Sequence, residues 1–277
     1  MIPAMTRRAL LGGMAAAPLL AAGESTGRLK QSVSRWTYSK FSLDELCGAA
    51  ARIGLKGIDL VDDPKDWPVI RKYGLVPSMT GGAGKIPDGW NKLSNHERLV
   101  TEMTEHIARA AEAQLPNVIT FSGNRNGMPD GEGLENCATG LKRVKAIAEE
   151  RGVTVCMELL NSKVNHKDYM CDHTGWGVEM CKRVGSPRVK LLYDIYHMQI
   201  MEGDVIRTIR DNFAFLGHFH TGGVPGRHEL DETQELNWHA VMMAIADLGY
   251  TGFVAHEFVP AKDPMTSLER AFQVCTV

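Results

Sequence analysis

The chain has 277 residues and is 44% hydrophobic and 23% charged, so it can bury a full core and does not have the composition of a disordered protein. Its 31 Lys and Arg residues against 33 Asp and Glu residues give a formal net charge of −2. This balance excludes the basic face of a nucleic-acid-binding protein and the polybasic surface of a membrane-surface protein. No apolar run reaches the ~20 residues that span a bilayer. The six cysteines form no CxxC pair, which argues against a zinc knuckle, and we expect most of them to be buried.

The first 22 residues are predicted to be a twin-arginine export signal. Arg7 and Arg8 precede an apolar stretch from Ala9 to Ala22, and the small residues at its end suit cleavage before Gly23. We therefore expect a periplasmic protein with no membrane association after cleavage, or a cytoplasmic one if the signal is not used. The mature domain then covers residues 23–277.

Strand and helix patterns alternate along the rest of the chain. The predicted strands cover, in order, residues 29–35, 55–61, 75–79, 117–121, 153–159, 189–193, 215–220 and 251–257. The predicted helices cover about residues 42–53, 68–73, 94–114, 134–151, 174–184, 204–212, 238–248 and 265–274. Two of these helices begin with a predicted capping box, formed by Ser42 with Glu45 and by Ser94 with Glu97.

Eight apolar strands, each followed by a helix, predict a parallel sheet covered by helices. In about 250 residues this favours a single-domain α/β fold, the (β/α)₈ TIM barrel. An open doubly wound sheet is the alternative. The sequence contains neither GxGxxG after the first strand nor GxxxxGK[ST], so the glycine-rich segment 81–84 is interpreted as a flexible loop and not as a phosphate cradle.

Acidic and imidazole side chains end four consecutive strands, at Glu158, Asp194, His220 and Glu257. Catalytic residues of a TIM barrel lie at the carboxyl ends of its strands, so these four should meet at one rim. Three unpaired acids there would repel one another, and a divalent cation would remove the repulsion. A mostly oxygen site with one imidazole suits Mn²⁺ or Mg²⁺ and also accepts Co²⁺ or Zn²⁺. Four separately paired rim residues are the alternative.

Two segments resemble bacterial hydroxypyruvate isomerases. They are YDIYHMQIMEGD at residues 193–204 and PGRHE at residues 225–229. More widely, most of residues 29–275 resembles the xylose-isomerase-like TIM-barrel superfamily of sugar isomerases and epimerases. The resemblance implies that Glu158, Asp194, His220 and Glu257 hold one divalent metal ion and that Glu158 and Glu257 carry the catalytic proton. It further implies that His197 and Arg227 contact substrate oxygens.

The resulting hypothesis is a metal-dependent isomerase of a small α-hydroxycarbonyl substrate, converting hydroxypyruvate to tartronate semialdehyde through an enediolate. His220 stands where hydroxypyruvate isomerases carry Gln and ketose 3-epimerases carry His, so a ketose 3-epimerase or related sugar epimerase is the alternative. A non-catalytic periplasmic sugar-binding barrel is a further alternative, and the complete set of acids argues against it. The expected partner is a small hydroxycarbonyl or sugar substrate and not a nucleic acid. The sequence is also compatible with a homo-oligomer.

Weaker expectations concern the residues around this rim. Lys163 is predicted to meet a substrate carboxylate, since it lies with His166 in the loop after Glu158, although a solvated loop is the alternative. Trp36 could wall the pocket or lie in the core. His218 is predicted to lie one layer deeper than His220, because two residues apart on a strand face the same side.

Overall fold

The computed structural model describes residues 27–277, so the predicted export signal in residues 1–22 lies outside the described residues. Eight parallel strands form its sheet, in the order β3-β2-β1-β8-β7-β6-β5-β4. The strands are β1 (Lys30–Ser34), β2 (Gly57–Asp59), β3 (Val76–Pro77), β4 (Asn117–Thr120), β5 (Thr154–Glu158), β6 (Val189–Asp194), β7 (Leu216–Thr221) and β8 (Phe253–His256).

The two edges of this sheet meet beyond β3. The Thr80 amide donates to the Asn117 carbonyl at 3.2 Å, and the Ile119 amide donates to the Thr80 carbonyl at 3.0 Å. This short parallel bridge joins the chain after β3 to β4 and closes the sheet on itself. The predicted (β/α)₈ TIM barrel is therefore confirmed over the described residues, and the open doubly wound alternative is wrong.

Helices surround the barrel and follow the strands. They are α1 (Leu43–Ile53), α2 (Trp67–Lys72), α3 (His96–Glu112), α4 (Asp130–Lys142), α5 (Lys145–Arg151), α6 (Thr174–Val184), α7 (Ile195–Met201), α8 (Val205–Asn212), α9 (Trp238–Asp247) and α10 (Pro264–Cys275). The predicted helix over 134–151 is two helices in the structure. Helix α7 was missed, because a single pair of turns directly after a strand carries too short a pattern to detect.

The two capping boxes differ in outcome. At Ser42 the prediction is confirmed, since its hydroxyl accepts from the Glu45 amide and the Glu45 carboxylate accepts from the Ser42 amide. At Ser94 the prediction is wrong. A 3₁₀ turn precedes α3 there, and the Glu97 carboxylate instead accepts two hydrogen bonds from the Arg143 guanidinium, at 2.7 and 2.9 Å.

Apolar side chains of the strands and of the inner helix faces form the core. All six cysteines are buried, which agrees with the expectation for most of them, and none is in a disulfide. Among residues 27–277, no helix combines the length and the apolar character needed to cross a membrane.

Candidate active site

The four predicted ligands come together at the carboxyl ends of neighbouring strands. Glu158 is the last residue of β5 and Asp194 the last of β6, while His220 lies in β7 and Glu257 directly follows β8. Asp194 and His220 are register partners across β6 and β7, which sets their side chains at the same height. Each of the four offers one ligand atom, and these atoms all lie within 4.8 Å of one another.

His220 stands at the centre of this group. Its Nδ1 atom lies 2.6 Å from Glu257 Oε2, 3.7 Å from Glu158 Oε1 and 3.9 Å from Asp194 Oδ2. The opposite nitrogen, Nε2, is 2.9 Å from a carboxylate oxygen of Asp59. The imidazole therefore bridges the acidic cluster and a carboxylate on the far side.

The Nδ1 atom of His220 is fully buried and, although Glu257 Oε2 lies 2.6 Å away, it makes no aligned hydrogen bond among the described residues. It faces three carboxyl groups, whose ionised oxygens offer only lone pairs. A cation between them would accept electron pairs from the nitrogen and from the carboxylate oxygens at once. The donor set therefore fits a divalent metal ion, and its oxygen content favours Mn²⁺ or Mg²⁺.

The charges of the cluster support the same interpretation. Burial and the nearby Glu257 raise the pKa of Glu158 to about 7. Burial also raises the pKa of Asp194, although Arg227 opposes the shift. For Glu257 the burial effect is outweighed by the positive charges of His220 and Arg227, which lower its pKa. Two of three carboxyl groups thus resist ionisation, as expected where a positive charge is lacking.

Arg227 supplies part of the positive charge. Its Nη2 donates to Asp194 Oδ2 at 2.6 Å and to Glu257, and its Nε donates to the Glu257 carbonyl at 3.0 Å. Its Nη1 lies 2.6 Å from Nε2 of His197. With His220 neutral, as a metal-ligating imidazole must be, and the three carboxyl groups ionised, one guanidinium leaves two negative charges, the number that a divalent cation neutralises.

His197 lies beside this guanidinium at the start of α7. Its backbone amide donates to Asp194 Oδ1 at 3.3 Å, so Asp194 both ends β6 and caps α7. Burial and Arg227 lower the pKa of His197 well below its usual value, which keeps the imidazole neutral. The structure therefore brings the two predicted substrate contacts, His197 and Arg227, to the same point.

A cavity of about 610 Å³ opens above the cluster. Glu158 and Glu257 line it, together with Trp36, His197 and Arg227 and an apolar wall that includes Leu60, Ile86, Ile119, Phe121 and Leu160. Asp194 and His220 are fully buried beneath and do not line it. The two glutamates thus face the space that a substrate could occupy, while the other two ligands lie below.

Lys163 is not part of this cavity, contrary to the prediction. Its ammonium donates to the carbonyls of Ile200 and Met201, at 3.1 and 2.8 Å. These carbonyls lie at the C-terminal end of α7 and have no partner within the helix. Lys163, from the loop between β5 and α6, donates to them instead. Its loop neighbour His166 does line the cavity, 5.2 Å from the His197 ring.

Replacing Lys163 by methionine is therefore expected to leave substrate KM within about twofold. Loss of a cation at a helix C-terminus should lower the free energy of unfolding by about 0.3–1 kcal/mol. Steady-state kinetics and denaturant unfolding measure the two effects. Lys167→Met, a change of an exposed lysine in the same loop, is the matched control. A tenfold rise in KM for Lys163→Met alone would restore its predicted role at the substrate.

The structure adds Asp59 to this rim and places Trp36 on the cavity wall, one of the two positions expected for it. Asp59, the last residue of β2, is fully buried and contacts His220. The rule that found the four ligands, an acid at the end of an apolar strand, could also have found Asp59. Trp36 is 48% exposed and walls the cavity, and its indole N–H donates to Glu257 Oε1 at 2.5 Å. No sequence pattern indicates this last contact.

Comparison with known proteins gives a family and several relatives. Residues 47–274 match the protein family described as "Xylose isomerase-like TIM barrel". A human protein named "Putative hydroxypyruvate isomerase" is 30% identical over 254 residues, which cover 81% of this chain and 88% of the human one.

Two bacterial relatives match over shorter stretches. The 2-oxo-tetronate isomerase of Cupriavidus necator is 36% identical over 127 residues, 46% of each chain. The D-psicose 3-epimerase of Agrobacterium fabrum is 36% identical over 125 residues, 43% of this chain and 39% of the relative. The chain thus spans about half or less of the length of these two proteins.

Solved structures share the architecture. The crystal structure of AP endonuclease, family 2, from Brucella melitensis superposes with a TM-score of 0.77 at 24% identity, covering 88% of this chain and 97% of the other. This similarity supports the barrel fold alone.

Proposed function

Because the chain belongs to the family of xylose isomerase-like TIM barrels, we propose that it is a divalent-metal-dependent isomerase that moves a proton between carbons of a small α-hydroxycarbonyl substrate. The observation that carries this proposal is the convergence of Glu158, Asp194, His220 and Glu257, whose ligand-type atoms all lie within 4.8 Å of one another. A complete acid set also favours an enzyme over a non-catalytic sugar-binding barrel.

The four ligands have two different tasks in this proposal. Asp194 and His220, buried below the cavity, hold the cation. A divalent cation held there supplies Lewis acidity that makes a C–H bond next to a carbonyl easier to deprotonate. Glu158 and Glu257 also hold the cation, but they face the cavity and so can reach a substrate carbon.

Proton transfer then falls to these two glutamates. The Glu158 carboxylate lies 3.7 Å from His220 Nδ1, and burial raises its pKa, which favours acceptance of a proton. Glu257 is oriented by the Trp36 indole. One of the two glutamates removes the proton from the hydroxyl-bearing carbon, and a carboxyl group on the same or the opposite face returns it to the neighbouring carbon. The hydroxyl proton passes to the former carbonyl oxygen, so that the two functional groups exchange places. His197 and Arg227 orient substrate oxygens.

Within this class we propose the interconversion of hydroxypyruvate and tartronate semialdehyde as the reaction. The human relative is named "Putative hydroxypyruvate isomerase", and this chain aligns with 88% of its length. The 2-oxo-tetronate isomerase relative acts, by its name, on another short 2-oxo acid. Arg227 is the group that would meet the substrate carboxylate, because a guanidinium can hold two carboxylate oxygens.

A ketose 3-epimerase is the second candidate, and the cavity supplies its argument. Among the described residues that line it, Arg227 is the one permanent cation, and it is already bonded to Asp194 and Glu257. Asp62 adds a negative charge to the lining. A neutral sugar would suit this lining, and a volume of about 610 Å³ exceeds the needs of a three-carbon acid.

Turnover in deuterated water tests the proposal. The Mn²⁺-loaded protein, offered hydroxypyruvate, 2-oxo-tetronate and common ketoses in turn, is expected to place solvent deuterium on the product carbon, since a carboxylic acid proton exchanges with water. Proton NMR and mass spectrometry of the products measure the label and identify the substrate.

Two outcomes would contradict the proposal. Turnover without deuterium would indicate a hydride shift between carbons, with the glutamates only holding substrate. No turnover of any of these compounds by metal-loaded protein would remove the isomerase class itself.

A further inference from the structure

Beyond the ligands themselves, and resting on the proposed metal site, we infer that Asp59 is a positioning residue that fixes the tautomer of His220 and so makes its Nδ1 atom available to the cation. Asp59 ends β2, whereas His220 lies in β7 on another part of the barrel. The side chain of Asp59 does not line the cavity, so it cannot touch substrate.

The hydrogen bonds around Asp59 leave one arrangement of protons. Its Oδ1 accepts from the Ser78 hydroxyl at 2.6 Å and lies 3.2 Å from Nε2 of His218. Its Oδ2 lies 2.9 Å from Nε2 of His220. An ionised carboxylate only accepts hydrogen bonds, so the His220 Nε2 must carry a proton. In a neutral imidazole, Nδ1 then carries the lone pair.

The second imidazole supports the ionised state of Asp59. Asn117 donates its amide N–H to the Ser78 carbonyl at 3.0 Å and lies 3.4 Å from Nδ1 of His218. The amide nitrogen of Asn117 is therefore the atom that faces His218. Because an amide NH₂ only donates, Nδ1 of His218 is the acceptor, and in a neutral imidazole the proton is then on Nε2, which faces Asp59. The His220 Nε2 and the Ser78 hydroxyl thus contact a single fully buried carboxylate, and His218 Nε2 lies 3.2 Å from it without an aligned hydrogen bond.

The cluster of Asp59 and the two imidazoles does not need a metal ion of its own. Three of its ligand-type atoms lie close together, on Asp59, His218 and His220. The Asp59 carboxylate already has the Nε2 atom of His220 at 2.9 Å and the Ser78 hydroxyl at 2.6 Å, so its oxygens are satisfied without an ion. The cluster therefore acts on the metal site above it through the orientation of His220.

Asp59→Asn tests this inference with almost no change of volume. If the amide oxygen keeps the Ser78 bond, the amide NH₂ faces Nε2 of His220, so the imidazole must shift its proton to Nδ1. That proton then points at the cation position. Loss of such a partner behind a metal-ligating histidine typically costs 10–100-fold in metal affinity. We expect the dissociation constant for Mn²⁺ to rise by about that factor.

Ser78→Ala is the matched control. It removes one hydrogen bond from the same buried carboxylate but leaves both Asp59 oxygens as acceptors for the imidazoles. Both variants should lose thermal stability, but only Asp59→Asn should lose Mn²⁺ affinity. Electron paramagnetic resonance of free Mn²⁺ during titration measures the affinity, with no dependence on turnover.

Nitrogen-15 NMR of labelled histidines reads the tautomer directly, in the wild-type protein loaded with diamagnetic Mg²⁺. We expect His220 to be protonated at Nε2 only. The opposite tautomer would overturn the inference even if Asp59→Asn does not fold. So would an Mn²⁺ affinity of Asp59→Asn within twofold of the wild type. If the wild-type protein itself binds neither metal, the proposed function fails, which is a different result.

Discussion

Replacing Glu158 or Glu257 by glutamine is expected to lower turnover by at least ~10²–10⁴-fold, the range typical of a lost general acid or base. Glutamine keeps an oxygen for the cation but cannot accept a proton. Since both side chains face the cavity and have the same buried cation site behind them, each variant should retain part of its metal affinity. Steady-state turnover and Mn²⁺ titration of the same preparations separate the two effects.

Glu179→Gln is the matched control, an identical chemical change on the exposed outer face of α6, where the carboxylate pairs with Arg183. A surface ion pair of this kind contributes little, so turnover and stability should stay close to wild type. Full activity of both cavity variants would refute proton transfer by the glutamates. Loss of all metal binding in both would show instead that they act only as ligands.

Removal of divalent metal by a chelator is expected to abolish turnover, and Mn²⁺ should restore it. Because the ion would bind only the folded protein, metal at 100 times its dissociation constant adds about 2.7 kcal/mol to the free energy of unfolding. In a protein of this size that raises Tm by about 5–10 °C. Calorimetry with and without metal measures the shift.

Asp194→Asn and His220→Ala extend this test to the buried ligands. Both should weaken metal affinity, and excess Mn²⁺ should restore part of the turnover, because neither side chain faces the cavity. Full turnover of chelator-treated wild-type protein, with no change of Tm on metal addition, would contradict a metal-dependent enzyme. Excess Mn²⁺ should restore less turnover to Glu158→Gln than to these two variants. Equal restoration would contradict the assignment of proton transfer to the glutamates and of metal binding alone to Asp194 and His220.

The convergence of the four ligands could be predicted because it depends on local features. Each lies at or near the carboxyl end of an apolar strand, and parallel strands of one barrel bring those ends to the same rim. The strand positions followed from runs of apolar residues, such as residues 153–159, and the structure buries all five residues of β5. The cap at Ser42 was equally local, since both partners lie within four residues.

What the sequence by itself determined is therefore the barrel, the rim and the convergence of four acidic and imidazole side chains there, all of which follow from short-range pattern and strand direction. The tertiary structure decided the rest. Whether Lys163 meets a substrate or the end of α7 depends on how two loops pack. The contacts of Trp36 with Glu257 and of Asp59 with His220 join residues 221 and 161 positions apart. Such pairings follow from the closure of the barrel and from side-chain directions within it, which no local pattern encodes.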